Sequence, residues 1–177
     1  LSNLSLLCEL QPVSRADRLA KRFDTMQLSL SVRIAEEFLS KEKASMPLDE
    51  LAALAKRCGY GALCMRASQV GVQSSPEAVE SAVDSLSENK LSVSMVTGDF
   101  DTVYNNENGP NALRNITPYL LLAKRLGAPR IRVALKQVLD IEFAKRAADE
   151  AAEQDVQLVH QCHTLSLFET VESIEKT

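Results

Sequence analysis

From residue 27 onward, short strand-like segments alternate with helical patterns, and this alternation restricts the fold more than any other feature of the chain. In residues 28–34 apolar and polar side chains alternate one by one, which is the pattern of a half-buried strand. Further strands are predicted at residues 62–65, 91–96, 131–135 and 156–162. Each gap between strands is long enough for a helix, so the pattern predicts βαβ units and a parallel sheet.

Helix-start signals support this division of the chain. The segment 75–77, Ser-Pro-Glu, combines a capping hydroxyl, a proline at the first helical position and an acid in the first turn. Pro118 marks either a kink or the true start of a later helix. Asp140 is predicted to cap the next helix, and Ser166 with Glu169 fits a capping box.

Two architectures agree with this succession of βα units. One is an open, doubly wound sheet, and the other is the first part of an eight-stranded barrel, which normally needs roughly 250 residues. Neither GxGxxG nor GxxxxGK[ST] follows the first strand, so the usual support for a nucleotide-binding sheet is missing. We therefore expect an α/β fold, a partial (β/α)8 TIM barrel of about five βα units with a parallel sheet.

The segment before the first strand does not share this alternation of strands and helices. The chain begins with Leu1, whereas Met26 stands immediately before the first strand. We expect residues 1–26 to be an N-terminal extension with Met26 as the natural start, and residues 27–177 to be the partial barrel. The alternative is that the extension forms a helix that closes the bottom of the barrel.

Composition and charge exclude several classes of function. The chain has 45% hydrophobic residues, as globular proteins do, and a net charge of -4, which argues against an electrostatic nucleic-acid binder. No apolar run approaches the roughly 18 residues that would span a bilayer. The four cysteines are widely spaced and form no CxxC pair. This spacing predicts reduced thiols and a cytoplasmic location.

Candidate substrate-binding residues lie where the predicted strands end, because parallel α/β folds bind ligands there. Arg33, Arg66 and Lys136 occupy three such ends. Cations at these positions offer fixed donors to carboxylate or phosphate oxygens. The alternative is that each cation pairs with a neighbouring carboxylate.

The end of the fifth strand carries a second set of candidates. Gln161 and His163 are two residues apart, so on an extended strand they share the face that a substrate or metal would meet. His160 is three residues from His163 and points to the opposite face, so the two histidines do not form a ligand pair.

Four stretches resemble the xylose-isomerase-like TIM barrels, a family that includes sugar-phosphate isomerases and epimerases. They are LSLSVRI at 28–34, GYGALCMR at 59–66, AKRLGA at 123–128 and HQCHTLSLFET at 160–170. The resemblance implies a divalent metal ion (Mn, Mg, Zn or Co), held in that family by carboxylates and a histidine from the last four strands. Gln161 falls where the strand-five ligand is usually a glutamate; an amide is a poorer ligand and no base.

The resemblance implies that the parent protein is a sugar or sugar-phosphate isomerase/epimerase, with metal-assisted proton transfer beside a carbonyl. Arg33, Arg66 and Lys136 would bind the substrate, His163 would be catalytic and Gln161 would face the metal. A non-catalytic sugar- or anion-binding relative of the same fold is the alternative, because Gln161 replaces an acid. A metal-dependent endonuclease of that fold is a further alternative, but the net negative charge of the chain argues against it.

These implications concern the whole barrel. We expect this chain alone to be inactive and to hold no metal, because strands six to eight would be missing. The open sheet edge is expected to favour self-association. The expected partner is a small-molecule sugar or sugar phosphate, with no nucleic acid and no membrane.

Overall fold

A computed structural model describes residues 27–38, 40, 43–97 and 111–176 of the chain. Five parallel strands form a single sheet in the order β1-β2-β3-β4-β5. They are β1 Ser29–Ser31, β2 Ala62–Met65, β3 Ser92–Thr97, β4 Arg130–Val133 and β5 Gln157–His160. The parallel sheet expected from the sequence is therefore confirmed. The assignment of residues 1–26 to an extension lies outside the described residues and stays a prediction.

Helices connect the strands and follow the last one. After β1 comes a 3-10 helix, and the α-helices are α1 Leu48–Arg57, α2 Pro76–Glu88, α3 Asn111–Arg114, α4 Thr117–Leu126, α5 Asp140–Ala152 and α6 Val171–Glu175. None of the helices in the described ranges is long and apolar enough to cross a membrane.

The strand order decides between the two architectures. A doubly wound sheet reverses its strand order at a switch point, which sends helices to both faces. Here each strand is the sheet neighbour of the next one along the chain. Because crossovers between parallel strands are almost always right-handed, successive steps in one direction place every helix on the same face. The doubly wound alternative is therefore wrong, and the five-unit segment of a (β/α)8 barrel is confirmed.

The helix-covered face of the sheet carries the core. Its strand residues pair in rows across the sheet: Leu30 with Leu63, Leu63 with Val93, Val96 with Ile131, and Ile131 with Leu158. Leu51 of α1 and Leu120 of α4 pack into the same cluster, at 1% and 0% exposure. Burial of each such side chain contributes about 1.5–3 kcal/mol, so this single layer of contacts holds helices and sheet together.

The first strand is shorter than its alternating pattern predicts. It ends at Ser31, whose hydroxyl accepts a hydrogen bond from the backbone N–H of Arg33, and the 3-10 helix Val32–Ala35 follows. A serine side chain that bonds the backbone two residues on offers the chain an alternative to the sheet ladder. Arg33 therefore lies on a helical turn just beyond the carboxyl end of β1.

The helix starts agree with the sequence in part. Ser75 caps α2 through Ala78 N–H, and Pro118 lies in the first turn of α4, where it marks the start and not a kink. The capping box expected at residues 166–169 is wrong, because Thr170 and Ser173 form it one turn later.

Asp140 does not act as the N-cap of α5, because it is the first residue of that helix. It is fully buried, and its carboxylate instead accepts the backbone N–H groups of Lys136 and Gln137, at 2.8 and 3.0 Å. Arg114 of α3 approaches the other carboxylate oxygen at 3.7 Å. Asp140 thus joins the turn after β4 to the start of α5.

We expect Asp140→Ala to lower the free energy of unfolding by about 1–3 kcal/mol, because two backbone N–H groups lose their buried carboxylate acceptor. Urea unfolding followed by circular dichroism measures this loss. Asp149→Ala, at an exposed position of the same helix, is the control and should change stability by at most about 0.5 kcal/mol. Equal effects of the two substitutions would contradict the structural role of Asp140.

Candidate functional site

The face of the sheet that lacks helices carries several polar side chains. Side chains alternate between the two faces of a strand, so the neighbours of the buried core residues point to this concave face. The hydroxyls of Ser29 and Ser94 contact each other here at 2.6 Å. The register pairs Ser31 with Cys64, and Thr97 with Arg132. In a (β/α)8 barrel this face is the interior, and its carboxyl end is where substrates bind.

Arg132 is the central cation of this face. It lies on β4 between Ile131 and Val133, which are both buried among the helices. Its Nη1 donates a hydrogen bond of 2.5 Å to Oε1 of Gln161, just beyond β5. Burial, followed by the positive charges of Arg66 and Arg33, lowers the pKa of Arg132 below its ordinary value.

Arg66 follows β2 and is already paired. Its Nε donates to Oε1 of Glu36 at 2.5 Å, and the Ser68 hydroxyl donates to the same oxygen at 3.0 Å. The side chains of Arg66 and Glu36 are only 4% and 6% exposed. Arg66 therefore matches the alternative in which a strand-end cation pairs with a nearby carboxylate.

The other two candidate cations differ in their surroundings. Arg33 is exposed on the 3-10 helix, and its charge acts on Arg132. Lys136 lies beyond β4, where its backbone N–H is held by Asp140. Burial lowers the pKa of the Lys136 ammonium, and the Asp140 carboxylate opposes this shift. The Lys136 ammonium therefore lies within electrostatic reach of the Asp140 carboxylate, and the Arg33 guanidinium lies within electrostatic reach of Arg132, which repels it.

The Cys64 thiol lies among these arginines. Burial raises its pKa, while the nearby charges of Arg132 and Arg66 oppose the shift. The thiol is therefore neutral at physiological pH. It adds neither a negative charge nor a thiolate nucleophile to the arginine cluster.

The two histidines have separate environments, as their spacing predicts. His160 lies on the helix side of β5, where its ring packs edge-on against Phe168 with centroids 5.4 Å apart. Its Nδ1 is 3.3 Å from the Val133 carbonyl oxygen, and its Nε2 is buried with no hydrogen-bond partner among the described residues. His163 is exposed, with Nδ1 3.1 Å from the Thr164 carbonyl oxygen. A catalytic role for His163 stays a prediction.

The side chains near Gln161 are not suited to bind a divalent metal ion. Within the described ranges, no group of three or more His, Cys, Asp and Glu side chains could hold a metal. The Gln161 oxygen that would face the ion already accepts the hydrogen bond from Arg132. A nearby guanidinium repels a cation, and an amide brings only a dipole to it. Gln161 as a metal ligand stays a prediction that these surroundings do not favour.

Arg132 was missed in the sequence, although a signal for it exists. The predicted strand 131–135 has Arg132 between two apolar residues, which assigns the arginine to the face opposite the core. The expectation that ligands bind at the ends of strands does not cover a cation within a strand. A cation within a strand, on the face without helices, should have been included.

The fold is shared with several solved structures. A xylose isomerase-like TIM barrel protein from Mycobacterium smegmatis, in complex with magnesium, has a TM-score of 0.63 and 16% identity, over 86% of this chain and 60% of that one. The probable 3-DHS dehydratase AsbF from Bacillus anthracis has a TM-score of 0.59 and 14% identity, over 85% and 57%. D-allulose 3-epimerase from Methylomonas sp., in complex with D-allulose, has a TM-score of 0.57 and 13% identity, over 85% and 57%.

These similarities define the class of fold. The chain has the TIM-barrel fold of the xylose isomerase-like proteins, which confirms the resemblance at the level of the fold. It spans 57–60% of the length of these three structures. No protein-family model and no curated protein matches the sequence.

We expect Glu36→Ala to lower the free energy of unfolding by about 3–5 kcal/mol, because it leaves the Arg66 cation buried without its partner. The double variant Glu36→Ala/Arg66→Met should recover most of this loss, since it removes both charges. Urea unfolding of the two variants tests the pair. Glu142→Ala, which breaks the exposed pair with Lys145, is the control and should change stability by less than about 1 kcal/mol. If the double variant did not recover stability, Glu36 and Arg66 would not stabilise each other as a buried ion pair.

Stability should fall in acid because of His160. Burial lowers the pKa of His160 below its ordinary value of 6.5, and Arg132 adds to this shift while the Val133 carbonyl opposes it. Between the folded pKa and about 6.5, the unfolded chain binds a proton that the folded chain does not. Stability therefore rises with pH through this window and is level above it. His160→Gln should flatten this part of the profile, measured by urea unfolding.

Proposed function

We propose that the chain is the substrate-binding part of a sugar or sugar-phosphate isomerase/epimerase barrel. The observation that carries the proposal is the chemistry of the concave face, which has serine hydroxyls on β1 and β3 and, towards its carboxyl end, Arg132 under the influence of two further arginines. Ser29 and Ser94 are already within hydrogen-bond distance of each other, so both hydroxyls are oriented. Hydroxyl groups match a sugar, and guanidinium groups match a phosphate or carboxylate.

The contacts of the candidate cations divide their roles. Arg33 is exposed, its charge acts on Arg132, and it is proposed to contact the substrate. Arg66 is proposed to orient Glu36 and to contribute positive potential, because its Nε is committed to that carboxylate. Lys136 is proposed as a peripheral contact, since it lies near Asp140.

Proton transfer beside a carbonyl requires a base of suitable pKa within reach of the substrate. Glu36 is held by Arg66 and Ser68, and Gln161 has no basicity. His163 is the described residue proposed to exchange a proton, from its exposed position after β5. A carboxylate base would have to come from outside the described residues. The donors present do not fit a metal ion, so no step is assigned to one.

The solved structures add support of a general kind. One of them is an epimerase in complex with its sugar, D-allulose, and another is described as a xylose isomerase-like protein. Because a fold hosts many activities, this similarity raises the expectation of a sugar substrate and fixes no reaction. The residues of the concave face carry the rest of the proposal.

The second candidate is a non-catalytic sugar- or anion-binding relative of the same fold. The hydrogen bond from Arg132 to Gln161 favours it, because a guanidinium and an amide stand where proton transfer needs a base. Binding would then be retained without turnover. Only the isomerase or epimerase is expected to exchange the proton next to the substrate carbonyl with solvent.

The test is solvent exchange in deuterium oxide, using the chain and a panel of ketoses, ketose phosphates and sugar acids. A binding protein of this class should be stabilised against heat by at least one ligand of the panel. An isomerase or epimerase should also replace the proton beside the carbonyl with deuterium, which proton NMR detects. His163→Gln should slow that exchange without weakening binding.

Ligand binding without exchange agrees with both candidates, because the chain alone is expected to be inactive, whereas exchange would contradict the non-catalytic relative. If no member of the panel raises the melting temperature, both functions are contradicted. A matched control is Gln157→Ala, an exposed position at the opposite end of β5, which should change neither binding nor exchange.

A further inference from the structure

Arg132 has an unusual electrostatic environment for a partly buried cation. Its described hydrogen bond goes to the neutral amide of Gln161. The ion pairs of the described residues include Arg66, Arg114, Arg125, Lys145 and Lys176, but neither Arg132 nor Arg33. Removing a cation from water without an anionic partner is unfavourable. This arrangement is therefore expected to attract an anion.

The charges around Arg132 increase its attraction for an anion. The charges of Arg66 and Arg33 act on it in the unfavourable sense, and the Cys64 thiol is neutral. Glu36 compensates one of the three guanidiniums through its bond with Arg66. The local cluster of Arg33, Arg66 and Arg132 with Glu36 thus keeps two excess positive charges on the concave side.

The hydrogen bond with Gln161 gives the site a defined geometry. It uses one N–H of Nη1, while a guanidinium carries several donors in a planar fork. The bond links the carboxyl ends of β4 and β5, so it fixes the plane of the fork relative to two strands. A fixed fork matches the paired oxygens of a phosphate or carboxylate.

We propose that Arg132 binds an oxyanion of the substrate directly, and that Gln161 serves to orient Arg132 and not to hold a metal ion. Arg66 acts as a paired background charge. The site would therefore select phosphate or carboxylate ligands over divalent cations. This inference deepens the proposed function, on which it rests for the identity of the ligand, but its test needs neither a sugar nor turnover.

The experiment titrates the full chain with inorganic phosphate, acetate or magnesium ion at constant ionic strength set with chloride. Binding is measured by calorimetry and by the melting temperature. Phosphate or acetate should bind and raise the melting temperature, and the stronger of the two identifies the oxyanion class. Magnesium should do neither. Magnesium binding that is lost in Gln161→Ala, without oxyanion binding, would overturn the proposal.

Variants assign the effect to Arg132. Arg132→Gln should weaken oxyanion binding about tenfold or more, because it removes charge-assisted hydrogen bonds. Arg130→Gln is the matched control: it makes the same substitution on the same strand face, two residues nearer the amino end of β4, and should change affinity less than about twofold. Equal losses in the two variants would mean that only net charge matters, which contradicts a site at Arg132.

Substitutions of Gln161 test whether this residue orients Arg132 for binding or only contributes to folding. Gln161→Glu places a carboxylate on Arg132 and should abolish oxyanion binding while the circular dichroism spectrum stays native. Gln161→Ala should weaken binding to a smaller extent. If Arg132→Gln fails to fold, Arg132→Lys keeps the charge without the fork and should still reduce affinity. Unchanged oxyanion affinity in Gln161→Glu would overturn the proposal.

The outcome is distinguishable from that of the proposed function. Oxyanion binding that depends on Arg132, with no ligand among the sugars of the panel, leaves this inference standing and contradicts the isomerase/epimerase. Proton exchange on a sugar with oxyanion affinity that is independent of Arg132 contradicts this inference alone.

Discussion

The covering of the sheet by helices on one face only is the constraint on which the rest of the structure depends. It requires apolar side chains at alternate positions of each strand, because the helices pack against those positions. Leu63 and Ile131 meet this requirement and are completely buried. The intervening positions face the concave side, where polar side chains are tolerated. Arg132 can occupy a strand only because its two neighbours provide the burial.

Charge on the concave side is distributed unevenly. Arg66 has a nearly buried carboxylate partner with an additional hydrogen bond from Ser68, so its charge is compensated where it stands. Arg132 has an amide partner, and Arg33 is exposed to water. The three arginines look equivalent as strand-associated cations in the sequence. Their partners, which come from distant parts of the chain, make them different.

Local signals in the sequence predicted the fold well. The alternation of strands and helices gave the parallel sheet, and the Ser75 cap and the Pro118 start follow from interactions within one turn. Where two local signals compete, the outcome depends on energies that residue types do not reveal. The box at Thr170 and Ser173 formed in preference to one at residues 166–169, and the Ser31 hydroxyl ended β1 early.

The candidate site was harder to predict, because its contacts join residues far apart in sequence. Glu36 and Arg66 are separated by 30 positions, and Arg132 and Gln161 by 29. The positions of Arg66 and Gln161 at strand ends identified them as polar residues at the carboxyl end of the sheet. No residue pattern indicated that each would be held by another side chain. That information requires the register of the sheet.

The contact between Arg132 and Gln161 also bears on how such a site changes in evolution. Codons for glutamine and glutamate differ at a single base, so one point mutation decides whether this position opposes the arginine with a dipole or with a full charge. A lineage can therefore move between an Arg132 that attracts an anion and an Arg132 that is paired within the chain, without altering the sheet. The fold would be conserved while its ligand preference drifts, which is consistent with one barrel serving chemically different substrates.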